Sequence, residues 1–238
     1  MAPTPEQVEI EPRLRGRFGR PFIWRQVCES TQELARDLPE GGVAACDEQT
    51  AGRGRRGRGW YSPPGAGLLF SLTLEPRTAP DRLAAFSLTA AEAVCVVCDA
   101  RAMVRWPNDV VIEGRKLAGV LPELRDGKLV VGVGVNVNQT AGHLPRQTRV
   151  PATSLRIERG SEVDRVELLV ELLDELERRY DAFERDGFPG LTRDELRGHT
   201  VQLVGGRRGL CEGVDELGRL IVDGHPHTSA EVERVETV

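Results

Sequence analysis

Lysine is almost missing from this chain. Of 32 basic residues, only Lys116 and Lys128 are lysine. Coding composition alone can produce such a bias. Even so, a surviving lysine is a candidate for a task that needs a compact point charge rather than a planar guanidinium fork. Lys128 lies in the turn R-D-G-K. Lys116 opens the apolar run K-L-A-G-V, where a plain strand-edge cation is the competing reading. Long hydrophobic runs are absent too: none reaches the roughly 18 residues of a membrane span. The first twenty residues lack the apolar core of a secretion signal, so a cytoplasmic location and no membrane partner are expected. There is no surplus of positive charge. With 37 acidic residues the formal net charge is -5, which argues against a general nucleic-acid binder. Five scattered cysteines do not make a disulfide framework. Cys95-x-x-Cys98 lacks two further ligands at zinc spacing and is expected to be a pair of core thiols. The four histidines, His143, His199, His225 and His227, fall in loop-like or tail contexts, and His225-Pro226-His227 is read as a turn. No metal site is expected.

The remaining sequence alternates strands and helices without strict βαβ order. Residues 1–20 are read as an extended or frayed arm. Strands are expected at 22–28, 41–49, 67–75, 103–106 and 109–113, the last two around a Pro-Asn turn. Ser30-Thr31-Gln32-Glu33 has the pattern of a capping box opening a helix to about Leu38. A buried helix is expected from about Pro80 to Ala100. A hairpin over 116–138 turns at Asp126-Gly127. Residues 139–160 read as irregular, 164–183 as an amphipathic helix with Val166, Leu169, Leu173, Leu176, Tyr180 and Phe183 on its stripe, and 189–197 as a short helix. From His199 the runs T-V-Q-L-V-G, G-L-C-E-G-V-D-E, G-R-L-I-V-D-G and S-A-E-V-E-R-V, separated by turns, have the pattern of a small barrel. The expected class is α+β, with an arm at 1–20, a main domain at 21–197 and a small β domain at 198–238.

The stretch G-R-G-R-R-G-R-G-W at 52–60 meets the dinucleotide spacing G-x-G-x-x-G. That fingerprint needs a helix opening inside it, and Pro63-Pro64 forbids one. Glycine lets a chain fold tightly round a ligand, while arginine forks bind carboxylate and phosphate through paired, charge-assisted bonds. Four crowded arginines repel one another, so a loop mobile when empty and ordered by an anion is expected; a solvated basic loop is the alternative. In V-V-G-V-G-V-N-V-N, Val131, Val133, Val135 and Val137 share one face. Gly132, Gly134, Asn136 and Asn138 share the other. A strand bare at two glycines suits a flat ligand against the backbone, although a polar outer face would read the same.

Together these motifs resemble the biotin–protein ligase family. The matching segments are S-T-Q at 30–32, E-Q-T-A-G-R-G-R-R-G-R-G-W at 48–60, R-W-P-N-D at 105–109, G-R-K-L-A-G-V at 114–120 and G-V-G-V-N-V-N at 132–138, in that order. The resemblance covers about residues 22–183, and the C-terminal part more weakly. It implies a fold related to class II aminoacyl-tRNA synthetases followed by an SH3-like domain. It also implies two chemical steps: biotin and MgATP give biotinoyl-5'-AMP, and a lysine of a biotin carboxyl carrier protein takes the acyl group. About 20 residues precede the catalytic part, so the form without a winged-helix domain is expected, with no DNA partner, as monomer or homodimer.

By resemblance, Lys116, Arg55 and Asp109 are the catalytic candidates. Ser30, Thr31, Gln32, Gln49, Gly52, Arg53, Arg55, Lys116, Gly119 and Gly134 are assigned to biotin. Arg55, Arg56, Arg58, Trp60, Asn108, Lys116 and Asn136 are assigned to the nucleotide, with Trp60 stacking on adenine. Gln32 stands where many members carry Asn. Ser30 also reads as a plain helix N-cap. Two alternatives stay open: a lipoate–protein ligase of the same fold, and a non-enzymatic nucleic-acid module using the arginines with Trp60 and Tyr61.

Overall fold

The apolar octapeptide G-L-L-F-S-L-T-L forms β3 (Gly67–Leu74), in which every residue is buried. A strand with both faces covered belongs at the centre of a sheet, and the computed structural model, which describes residues 4–145 and 150–232, places it there. The other strands are β1 (Phe22–Cys28), β2 (Val43–Gln49), β4 (Met103–Arg105), β5 (Asp109–Ile112), β6 (Arg115–Arg125) and β7 (Lys128–Asn136). Their order is β1-β2-β3-β7-β6-β5-β4. Only the β1–β2 pair is parallel; the neighbours from β2 to β4 run antiparallel. The hairpin expected at 116–138 is β6–β7, with Asp126 and Gly127 both at positive φ in its turn.

One face of the sheet is sealed by α3 (Leu83–Cys98) and α5 (Arg165–Asp186), which pack on each other. Trp24, Phe70, Val131, Val133 and Val135 meet them there. Cys95 and Cys98 are buried in this layer; burial raises both thiols, Cys98 to about 12. The opposite face is covered only in part, by α2 (Thr31–Ala35), where Ala35, Ala44 and Val130 form a small second cluster. The rest of that face lines a cleft. A four-stranded antiparallel sheet follows, of β8 (Thr200–Gln202), β9 (Arg208–Val214), β10 (Leu220–Val222) and β11 (His225–His227), in the order β11-β10-β9-β8. It sits against α3: a Cβ on Gly218 would lie 2.8 Å from the Ala85 backbone, and Gly218 accepts a 2.9 Å hydrogen bond from the Trp106 indole.

Several expectations are corrected. The described part of the arm is no frayed strand. Thr4 caps α1 (Pro5–Ile10), with Pro5 in the first turn. Ile10, Leu14 and Phe18, four apart, are buried in the main core; arginine and proline between them hide that spacing. The capping box is half formed: Ser30 accepts from Gln32 N, whereas Glu33 pairs with Arg53 and Arg36, and α2 ends at Ala35 rather than Leu38. The irregular stretch contains α4 (Leu155–Arg159), capped by Ser154 and closed by left-handed Gly160. No helix forms at 189–197. Arg193 and Glu195 bond across to Val104 of β4, and carboxylates take the amides a helix would use, Asp194 that of Leu196 and Glu92 those of Thr192 and Arg193. His225-Pro226-His227 is edge strand β11 rather than a turn. The last expected run, S-A-E-V-E-R-V, is a turn at Ser229–Glu231, and its end at 233–235 lies outside the described residues, as do 1–3 and 146–149.

Glu92, on the apolar helix α3, is 2% exposed. It accepts from Arg179 on α5 and from Thr192, joining α3, α5 and the segment leading to the second sheet. Removing one partner of a buried pair strands the other charge, at a cost of about 3–5 kcal/mol. Glu92→Ala is therefore expected to lower unfolding free energy by about that amount in urea titration. Glu92→Gln, which keeps an acceptor for Thr192, loses less.

Candidate active site

The cleft on the open face of the sheet has a volume of about 840 Å³. Its floor is the strand pair β6–β7, where Gly119 and Gly134 are register partners. The alternation expected over 131–138 is observed as far as β7 runs: Val131, Val133 and Val135 enter the core, while Gly132, Gly134 and Asn136 line the cleft; Asn138, past the strand end, bonds to Val163 instead.

Simple alternation does not put Lys116 on the same face as Gly119, three residues away. A bulge does. The β5–β6 register pairs Val110 with Ala118 and Val111 with Lys116, skipping Leu117. Leu117 and Ala118 are both fully buried in the main core, so the residues on either side both turn to the cleft. Asp109, paired with Gly119, lies on the same side. Its carboxylate and the Lys116 ammonium are 2.7 Å apart.

The arginine loop closes the other wall. Arg53 and Gly59 form an isolated antiparallel bridge, and Gly54 N donates to Arg58 O at 2.6 Å. Arg55–Gly57 make one tight turn, with Arg56 at φ 57°. Gly52 admits no side chain, since a Cβ there would lie 2.3 Å from Trp60 O. The fingerprint glycines therefore serve a small hairpin and not a helix entrance. Arg55 bonds to Asn108 Oδ1 at 3.4 Å and to Ser229 Oγ at 2.6 Å; Arg56 bonds to the Ser229 carbonyl at 2.6 Å; Arg53 pairs with Glu33 at 2.8 Å. Burial, followed by the neighbouring Arg56 cation, lowers the Arg55 pKa, and Asp109 offsets this only in part. The guanidinium is thus a cation partly withdrawn from water, bonded to neutral acceptors.

Trp60 lies on the glycine floor. A Cβ on Gly134 would sit 2.6 Å from its Cε2, and one on Gly119 would sit 3.2 Å from its Cζ3. Lys116 Nζ stands 5.3 Å from the ring centroid, within cation–π range. The indole nitrogen is buried with no hydrogen-bond partner among the described residues. A ligand resting on Gly119 and Gly134 needs the volume the indole now fills, so the ring must shift for those contacts to form.

At the β1–α2 end, Thr31 is fixed by Gln49, whose Oε1 accepts from Thr31 N at 2.8 Å, and by Ser71 at 2.8 Å. Gln32 donates to Leu121 O at 2.7 Å and lies against Gly132, where a Cβ would approach its Nε2 to 2.6 Å. Asn108 donates to Val120 O at 2.8 Å and Asn136 to Thr153 O at 3.0 Å, so both amides are held by backbone. Ser30, Thr31, Gln32, Gln49, Arg53, Arg55, Arg56, Arg58, Trp60, Asn108, Asp109, Lys116, Gly119, Gly134 and Asn136 all line the cleft. Gly52 alone of the named candidates does not; it lies behind Trp60.

Sequence reasoning passed over Gly132 and Leu121 as site residues, although Gly132 shares the strand face of Gly134. His143, assigned no chemistry, also lines the cleft, as do Ser229 and Val232 from beyond the second sheet. No spacing in the sequence connects Ser229 with a loop 174 residues earlier.

Comparisons with known proteins agree on one family. Residues 24–139 match the model of the biotin/lipoate A/B protein ligase family. The chain is 35% identical over 201 residues to the biotin–[acetyl-CoA-carboxylase] ligase of Mycobacterium tuberculosis, covering 77% of this chain and 74% of that one. It is 36% identical to the bifunctional ligase/repressor BirA of Bacillus spizizenii over 72% of this chain, but spans only 57% of that protein's length. The biotin protein ligase of Aquifex aeolicus, solved in complex with biotin and ATP, superposes with a TM-score of 0.73 at 30% identity, over 90% of this chain and 94% of that one. On these grounds the chain belongs to the biotin/lipoate A/B protein ligase family, among its biotin–protein ligases.

Proposed function

We propose that this protein activates biotin with MgATP and transfers the biotinoyl group to a lysine of a biotin carboxyl carrier protein. The observation that carries this reading is the meeting of Lys116 and the arginine loop over a glycine-floored cleft. Such a cleft admits a flat, uncharged ring at one end and receives anions at the other. The Aquifex relative, solved with biotin and ATP, supports the same assignment.

In the first step a biotin carboxylate oxygen attacks the α-phosphorus. The new P–O bond forms as the bond to the bridging oxygen breaks, and pyrophosphate leaves. Two anions must approach, and preorganised cations where charge develops lower that barrier. Arg53 and Arg55 are assigned to the carboxylate and phosphate, with Arg56 and Arg58 beside them. Lys116 is assigned to the oxygens between carboxyl and α-phosphate. Asp109, 2.7 Å from Lys116, orients that ammonium. Asp109 is also the only carboxylate among the described lining residues, and one carboxylate with phosphate oxygens is a usual way to hold magnesium that arrives with ATP.

Ser30, Thr31, Gln32 and Gln49 are assigned to the donors and acceptors of the ureido ring, with Gly119 and Gly134 beneath it. Trp60 then leaves the floor and stacks on adenine, with Asn108 and Asn136 toward the nucleotide. In the second step the acceptor lysine, as free amine, adds to the acyl carbon. The C–O bond to AMP breaks, the amine nitrogen gives up a proton to solvent, and an amide and AMP remain. Until then the loop keeps water from the mixed anhydride.

The decisive assay is biotin-dependent ATP–pyrophosphate exchange, with lipoate offered in parallel. Exchange with biotin alone is expected; exchange with lipoate alone assigns the sister activity, and none with either defeats the ligase reading. Lys116→Arg keeps the charge but replaces a slim ammonium by a fork, and exchange is expected to fall by about a hundredfold, the scale of losing one preorganised donor. Near-normal exchange would remove Lys116 from the role given to it. Arg55→Gly is expected to let the adenylate escape, read as biotinylation of non-cognate lysines in a mixed-protein assay. Gly134→Val is expected to abolish biotin binding in calorimetry, because the side chain takes the floor that both ring and ligand need.

A further inference from the structure

The part of the chain after the second sheet reaches the arginine loop through one residue. Ser229 Oγ accepts from Arg55 and Ser229 O accepts from Arg56, each at 2.6 Å. The turn that carries Ser229 is itself closed. Thr228 N and Oγ1 donate to the Glu231 carboxylate at 2.7 and 2.8 Å, and Glu231 N returns to Thr228 O at 3.0 Å. Val204 N, just after β8, donates to Glu231 O at 2.9 Å. The sheet behind the turn is seated on α3 through Gly218, which leaves no room for a side chain. Ser229 is therefore presented to the loop from a braced support.

The chemistry of the contact matters as much as its position. Both acceptors are neutral, and so is Asn108, the second group holding Arg55. A carboxylate at this place would orient the guanidinium equally well. It would also cancel the charge and compete with a phosphate or carboxylate for the same donors. A hydroxyl and a carbonyl fix the fork and leave its charge available.

We propose that Ser229 is a positioning residue contributed to the adenylate site from the C-terminal end of the chain. Its hydroxyl aims Arg55 and its carbonyl aims Arg56, so that the loop is held over the cleft before the nucleotide arrives. This rests on the ligase reading, and its test separates the two. Ser229→Ala removes the hydroxyl acceptor and keeps the carbonyl; Ser229→Thr restores it; Ser229→Asp adds the competing charge.

Steady-state exchange kinetics should show the KM for MgATP rising about tenfold in Ser229→Ala, the size of one lost charge-assisted hydrogen bond. A smaller change is expected for biotin, recovery in Ser229→Thr, and a larger rise than alanine causes in Ser229→Asp. An unchanged KM for MgATP in both the alanine and aspartate variants would overturn the proposal, as would equal rises for both substrates. Limited proteolysis within residues 52–60 needs no activity: faster nicking of Ser229→Ala than of the unsubstituted protein supports the positioning role, and equal nicking overturns it. If the unsubstituted protein shows no biotin-dependent exchange, the ligase reading fails while the nicking comparison still decides the role of Ser229.

Discussion

Two consecutive side chains of β6, Leu117 and Ala118, are buried in the same core, and the rest of the site depends on that. A regular strand would have sent one of them to the cleft and turned Lys116 into the helix layer. The skipped residue in the β5–β6 register keeps Lys116, Gly119 and Asp109 on one face. The ammonium then meets its carboxylate and the face of the indole. The floor is bare because Gly119 and Gly134 are register partners, so the two positions adjoin and take the Trp60 ring, which no side chain there would admit.

Charge is the second constraint. Four arginines from one short loop and Lys116 face a cleft whose one lining carboxylate, among the described residues, is Asp109. Arg53 is drawn off to Glu33. Arg55 and Arg56 are held by a side-chain amide, a hydroxyl and a carbonyl. These acceptors set direction without neutralising. Partial burial costs Arg55 some of its hydration and lowers its pKa, a loss that an anion in the cleft would offset.

Most of the architecture was legible because local patterns repeat. The valine alternation of β7, the stripe of α5 and the Asp126-Gly127 turn each carry their geometry in a few adjacent residues. The errors share one cause. Ile10, Leu14 and Phe18 form a buried line, but charged residues, proline and glycine separate them, and their partners lie far along the chain. The segment 189–197 has helical composition but forms bends and a single bridge to β4, because Glu92 and β4 claim its backbone. Glu92 itself, an acid inside an apolar helix, gave no hint of Arg179 or Thr192 as partners.

Among the site candidates, the sequence by itself determined the chemical inventory: the arginine loop, the lone lysine of the cleft, the two amide positions and the glycine face of β7. Proline at 63 and 64 was enough to separate the loop from a dinucleotide turn, because backbone restrictions act locally. Tertiary structure alone decided which of these share a face, where the indole rests and what steadies the arginines. Bulge register, ring packing and the reach of Ser229 arise between segments remote in the chain, and no local pattern records a contact made only when the core closes.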